Sequence, residues 1–164
     1  MRRFYEVMQS LSVTMLGCVI FIAIIFLVAL FIRGAAWVSA KFLSWFAFLS
    51  VITLVLVVFI VLPLAIPKET REIASMALRI ASHIWGITLW MEGLLYTLRL
   101  WGPTAVFIGL FVLGIGVVPM GMVATIIKGK WLHFGELLFL AILTLGSRIV
   151  DTYLSETVRG EEVL

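Results

Sequence analysis

Two uninterrupted apolar runs near the N-terminus constrain the fold more than any other feature of this chain. Leu11–Ile32 and Phe42–Ile66 extend for 22 and 25 residues without a charged, Asn, Gln or His side chain. A helix rises about 1.5 Å per residue, so each run is long enough to cross a hydrocarbon layer roughly 30 Å thick. The predicted solvent is therefore a bilayer, and the two runs are expected to pack rather than to form a site.

The composition agrees with a membrane protein that has no separate soluble module. Of the 164 residues, 63% are hydrophobic and 13% are charged, with a mean hydropathy of +1.22. A soluble domain usually carries about 25% charged residues. The sequence thus predicts one all-α membrane domain over residues 1–164, a polytopic bundle of membrane-spanning helices. Its twelve basic residues are scattered and form no basic stripe, which argues against nucleic acid as a partner.

Two further spans are predicted in the second half of the chain. The first, about 103–127, follows the helix breaker Gly102-Pro103, and the second covers about 131–150. Small residues in the first of these allow neighbouring helices to approach closely in lipid, and its Pro119 predicts a kink. The expected helix-packing residues are Gly109, Gly114, Gly116 and Gly121.

The segment of about 69–101 is amphipathic and admits two arrangements. It either crosses the bilayer with its polar face turned into the bundle, or it lies along the interface. With a cytoplasmic N-terminus, four spans place eight of the twelve basic residues inside, whereas five place seven. The positive-inside rule therefore favours four transmembrane helices plus a long amphipathic or partly inserted helix, with five transmembrane helices as the alternative. The predicted location is a bacterial cytoplasmic (inner) membrane.

Glu92 is the polar residue most suggestive of function. A carboxylate within a membrane helix is costly unless it is paired or protonated, and Arg99, two turns further on, is a possible partner. An unpaired Glu92 would indicate proton or cation handling. The polar residues expected to line such a pathway are Glu92, His83, Arg79, Arg99 and Glu136.

Three other pairs are weaker candidates. His133 and Glu136 lie three residues apart on one helix face, but two ligands are too few for a metal site, so no metal is expected. His83 and His133, the only histidines, would suit a bis-histidine haem if they met, although the expectation is no cofactor. Arg148 and Asp151 lie three residues apart where the last span meets water, and the sequence allows Asp151 to pair either with Arg148 or with another helix.

No constellation for acyl, phosphoryl or metal-hydrolytic chemistry is present in the sequence, which argues against an enzyme. The sequence predicts a small polytopic protein that acts as an oligomeric, anchoring or scaffold subunit of a membrane assembly. Its expected partners are the lipid bilayer and either further copies of itself or other membrane subunits. The alternative is a small oligomeric ion or proton channel or transporter that uses the polar residues of the segment 69–101.

Overall fold

The computed structural model describes residues 2–67, 70–111 and 116–161, with side chains described between residues 13 and 156. All regular structure in these ranges is helical, which confirms the all-α prediction. The elements in chain order are α1 (Arg2–Leu56), a π-helical turn (Val57–Val61), α2 (Leu62–Leu64), α3 (Arg71–Trp101), α4 (Pro103–Phe111), α5 (Val117–Ile127) and α6 (Trp131–Glu161). Glu69, the first residue of the predicted segment 69–101, and Gly114, one of the expected packing glycines, lie outside the described residues.

Helix α1 continues through residues 33–41, between the first two predicted spans. No proline interrupts this stretch, and Gly34 alone costs a helix only about 1 kcal/mol, so nothing local ends the helix there. The chain divides into two compact units, Met1–Ala35 and Ala36–Leu164. In the first unit, the large apolar side chains from Val13 to Phe31 are mostly exposed.

The second unit is built around α3. This helix runs antiparallel to α6 over its whole length, because Tyr96 contacts His133 near one end and Arg79 contacts Asp151 near the other. Helix α1 packs on another side of α3, where the Trp85 indole N–H donates to the Ser50 carbonyl oxygen at 3.2 Å. The core of this unit forms where the three helices meet: Val57, Val61, Leu78, Ala81, Trp85, Leu89, Leu137 and Leu140.

Helix α3 buries side chains from both its polar and its apolar face. Ser75, Ser82 and Thr97 are buried, as are Met91 and Leu94 of its apolar stripe, whereas Ile73 and Met76 of the same stripe are 61% and 65% exposed. Serine and threonine hydroxyls in a helix donate hydrogen bonds to nearby backbone carbonyl oxygens, as Ser82 does to that of Arg79 at 2.8 Å. The buried hydroxyl groups of α3 lie inside the helix bundle, whereas Arg79 and His83 of the same polar face are exposed.

The predicted span 103–127 is wrong as a single continuous helix. The structure has two short helices there, α4 of 9 residues and α5 of 11 residues. A Cβ added to Gly109 would lie 3.2 Å from the Val117 nitrogen, so the two helices pack against each other instead of continuing in line. At about 1.5 Å per residue they measure about 14 and 17 Å, which is too short to cross a bilayer alone.

Glycines allow this hairpin of α4 and α5 to pack closely on α3. A Cβ at Gly93 would lie 3.0 Å from the Val118 Cα, and one at Gly121 would lie 3.0 Å from the Gly93 carbonyl oxygen. Gly102, with a φ of 83°, ends α3 and allows the chain to turn into α4. Gly116 lies buried in the turn that precedes α5.

By length and composition, two helices of the described residues are long and apolar enough to cross a membrane, Val13–Leu64 and Trp131–Glu156. The number of crossings, four or five, stays a prediction.

Candidate functional site

Four protonatable side chains from α3 and α6 come together near one end of the helix pair; we call them the Glu92 cluster (Glu92, Tyr96, His133 and Glu136). The Tyr96 hydroxyl donates to Glu136 Oε2 at 3.1 Å. His133 Nδ1 lies 3.1 Å from the same carboxylate oxygen and 3.1 Å from the Tyr96 hydroxyl oxygen. The Tyr96 and His133 rings stack with their centroids 4.8 Å apart. Three of the four groups therefore form one continuous hydrogen-bonded arrangement.

Helix geometry brings these residues into the cluster. Glu92 and Tyr96 are four residues apart, and His133 and Glu136 are three apart, so each pair occupies one face of its helix. The antiparallel packing of α3 on α6 then sets the two faces against each other. Sequence analysis placed Glu92 and Glu136 on one pathway and paired Glu136 with His133, but it did not join all of these residues in one cluster with Tyr96.

A cavity of about 290 Å³ adjoins the cluster, between α1, α3 and α6. Glu92 and Glu136 line it together with Ser50 and Thr88, whose hydroxyl oxygens are 2.8 Å apart. The remaining walls are apolar. Ser50 comes from the second apolar run, which was expected only to pack, and it lines this cavity. The sequence signal was weak, because a serine in an apolar helix is usually bonded to its own backbone, and Ser44 of the same run is exposed.

Glu92 is the unsatisfied member of the cluster. Its Oε2 atom is buried and has no hydrogen-bond partner. Glu136 and His133 are close enough to act on it electrostatically. The structure has no ion pair between Glu92 and Arg99 among the described side chains, since seven helical residues separate them by about 10 Å and Arg99 is exposed.

A second polar group, the Asp151 cluster (Ser75, Arg79 and Asp151), lies towards the opposite end of the same helix pair. Ser75 donates to Asp151 Oδ1 at 2.6 Å, and Arg79 Nε donates to Asp151 Oδ2 at 3.1 Å. Asp151 is buried and pairs with another helix rather than with Arg148. Arg79 is thus held in an ion pair, and the structure does not bring it to the Glu92 cluster.

The two histidines do not meet. His83 lies 13 residues before Tyr96 on α3, about 20 Å along the axis, while His133 contacts Tyr96. The structure therefore does not bring the two rings of one chain to a common site, as a bis-histidine haem would require. Within the described ranges, no three His, Cys, Asp or Glu side chains form a group that could hold a metal ion.

Comparison with known proteins gives no relative from which a function could be carried over. The chain matches no protein family model, no curated protein and no solved structure. The class that the fold itself defines is an all-helical protein with two helices long and apolar enough to cross a membrane.

Proposed function

We propose that this is an integral membrane protein that binds and transfers protons at the Glu92 cluster, as a small channel or transporter. The observation that carries the proposal is the buried Glu92 Oε2 atom without a hydrogen-bond partner on the wall of a cavity. A buried unpaired carboxylate costs several kcal/mol, and uptake of a proton removes that cost. Ionisable residues inside membrane helices commonly mark such pathways.

The rest of the cluster suits proton transfer. Tyr96, His133 and Glu136 are joined by contacts of 3.1 Å, so a proton can pass along them without large movements of side chains. His133 and Glu136 are partly exposed, with side-chain exposures of 34% and 46%. They would connect Glu92 to the solution at one end of the bundle.

The core lies beside the cavity. Trp85 lines the cavity, is 1% exposed and belongs to the same core cluster as Leu78, Ala81 and Val57. This core would separate Glu92 from the far end of the bundle, which favours a gated site over a permanently open pore.

This proposal takes α3 as a membrane-crossing helix, the arrangement with five spans where the charge count favoured four. It is supported by the exposed apolar stripe of α3, including Ile73, Met76 and Ile80, and by the burial of its serines and threonines. Lipid would cover the stripe, and the polar face would line the interior.

Proton flux into proteoliposomes tests the proposal. A potassium gradient with valinomycin sets an inside-negative potential, and an entrapped pH-sensitive dye reports the entry of protons. We expect wild-type protein to acidify the interior faster than protein-free liposomes, and Glu92→Gln to lower the rate to that of protein-free liposomes. Glu72→Gln is the matched control, because Glu72 is exposed in the first turn of the same helix. Flux of Glu92→Gln equal to that of the control would refute the role of Glu92.

A second candidate, a subunit of a membrane assembly, is favoured by a different region. From Val13 to Phe31, α1 exposes large apolar side chains, and the Cβ position of Gly17 has no atom within 4 Å. A partner helix would cover this surface if the protein anchors an assembly. The native mass after extraction in mild detergent distinguishes the two candidates: a multiple of the chain mass, or a co-purifying subunit, supports assembly, and a monomer contradicts it.

A further inference from the structure

The short hairpin of α4 and α5 leaves part of the α3–α6 surface uncovered. Because α5 begins at Val117 beside Gly93, it does not extend along α3 towards His83. A cavity of about 600 Å³ lies in this region, bordered by α3, α5 and α6. Its volume is within the range of about 300–1,000 Å³ that is typical of ligand pockets.

The cavity is apolar along its walls and basic at one end. Ile87, Leu89, Pro119, Met122 and Leu145 are among its apolar lining residues. The Thr144 hydroxyl, also on the wall, donates to the Leu140 carbonyl oxygen at 2.7 Å and so needs no ligand. These walls suit a hydrocarbon chain.

The two basic residues that line the cavity are His83 and Arg148. They lie level with each other, since Gly86 of α3 packs beside Thr144 of α6 and both basic residues are about one turn further towards the same end. His83 Nδ1 donates to the Arg79 carbonyl oxygen at 2.7 Å, which leaves Nε2 for another contact.

The Arg148 guanidinium is available to a ligand. The acid nearest to it in sequence, Asp151, already accepts hydrogen bonds from Ser75 and Arg79 on its two oxygens. No ion pair joins Arg148 to another side chain in the described part of the chain. The charge at this end of the cavity is therefore positive and uncompensated by the bundle.

We infer that this cavity binds an anionic phospholipid, with the phosphate on Arg148 and His83 and one acyl chain extending towards Pro119. Charge complementarity selects the anionic headgroup, and the apolar walls select the chain. The orientation is that of a lipid in the leaflet, because Arg148 lies near the end of the apolar part of α6, whereas Val118, next to Pro119, packs beside Gly93, ten residues further along α3 than His83. This inference does not depend on proton transfer at Glu92.

Native mass spectrometry of the full chain in detergent tests the inference. The protein is mixed with phosphatidylglycerol or phosphatidylcholine of identical acyl chains, and the retained lipid is counted. We expect wild type to retain phosphatidylglycerol about five-fold more tightly, since one basic residue contributes roughly 1 kcal/mol to the binding of an anionic headgroup. Arg148→Gln should bring the two lipids to near parity, whereas Lys130→Gln, an exposed charge at the other end of α6, should retain the preference.

Two further measurements identify which part of the lipid is bound. Leu145→Trp fills the apolar part of the cavity and should reduce retention of both lipids. Inorganic phosphate in excess should not displace phosphatidylglycerol, because it lacks the chain. Equal retention of the two lipids by wild type, an unchanged preference in Arg148→Gln, or displacement by phosphate alone would each overturn the inference. His83→Gln, with a smaller loss expected, provides a second variant at the same end.

Discussion

The Glu92 cluster and the Asp151 cluster occupy two parts of the same antiparallel helix pair, yet they differ in how their acids are satisfied. Both oxygens of Asp151 accept hydrogen bonds, from Ser75 and from Arg79. Glu92 has a buried oxygen with no partner, beside a cavity. Buried polar groups normally have hydrogen-bond partners. The Asp151 cluster therefore needs no role beyond joining α3 to α6, whereas the Glu92 cluster requires an explanation.

Trp85 lies between the two clusters along α3 and separates them. Its burial at 1% exposure and its hydrogen bond to the Ser50 carbonyl oxygen make it part of the core. Substitutions at the Asp151 cluster and at Trp85 are therefore expected to change stability. Substitution of Glu92 is expected to change proton transfer and to leave stability nearly unaltered.

Replacing Trp85 should have the largest effect on stability. Trp85→Ala leaves a cavity in the core and is expected to lower the free energy of unfolding by about 3–5 kcal/mol. Unfolding in mixtures of mild and denaturing detergent measures this change. Trp45→Ala is the control, because Trp45 is 73% exposed and should lose less than about 0.5 kcal/mol. Equal effects of the two substitutions would mean that Trp85 is not a core residue.

Replacing Asp151, whose two carboxylate oxygens both accept hydrogen bonds, should have the next largest effect on the free energy of unfolding. Asp151→Ala leaves the buried Ser75 hydroxyl and Arg79 without their acceptor, and a loss of about 1–3 kcal/mol is expected in the same assay. Arg79→Ala should cost only about 0–1 kcal/mol, because the Arg79 side chain is 62% exposed. A larger loss for Arg79→Ala than for Asp151→Ala would contradict the geometry of this cluster.

Replacing Glu92, the acid with an unpartnered oxygen, should change stability little. Glu92→Gln deletes no hydrogen bond of the buried Oε2 atom, so its free energy of unfolding should stay within about 1 kcal/mol of wild type. The comparison with Asp151→Asn, the same chemical change in the satisfied cluster, makes the contrast direct. If Glu92→Gln is the more destabilised of the two, Glu92 is a structural residue.

The smallest effect concerns the hydroxyl pair on the cavity wall. Ser50→Ala removes the contact of 2.8 Å with Thr88, and hydrogen bonds between membrane helices contribute about 0.6 kcal/mol on average. A double-mutant cycle with Thr88→Val isolates this contribution. Ser44→Ala, at an exposed position of the same helix, should be neutral.

The sequence predicted the all-helical class, because the length of an apolar run is visible in one chain. A lone acid is visible in the same way, so the sequence also singled out Glu92, whose role stays a prediction. It did not predict the hairpin of α4 and α5. An apolar run that folds back at glycines has the same composition as one that continues, and the difference depends on contacts such as Gly109 with Val117. Nor did it predict that Tyr96 and His133 join Glu92 and Glu136, or that Arg79 and His83 lie elsewhere, because the register of α3 against α6 is a tertiary property.

Carbodiimide labelling combined with flux measurement tests the proton-binding role of Glu92 most directly. Dicyclohexylcarbodiimide reacts with protonated carboxyl groups in apolar surroundings, and intact mass with peptide mapping counts and locates the adducts. We expect one adduct per chain at Glu92, none there in Glu92→Gln, and a proton flux that falls in proportion to labelling. Full labelling of Glu92 with undiminished flux, or no labelling at Glu92 under conditions of flux, would contradict the account.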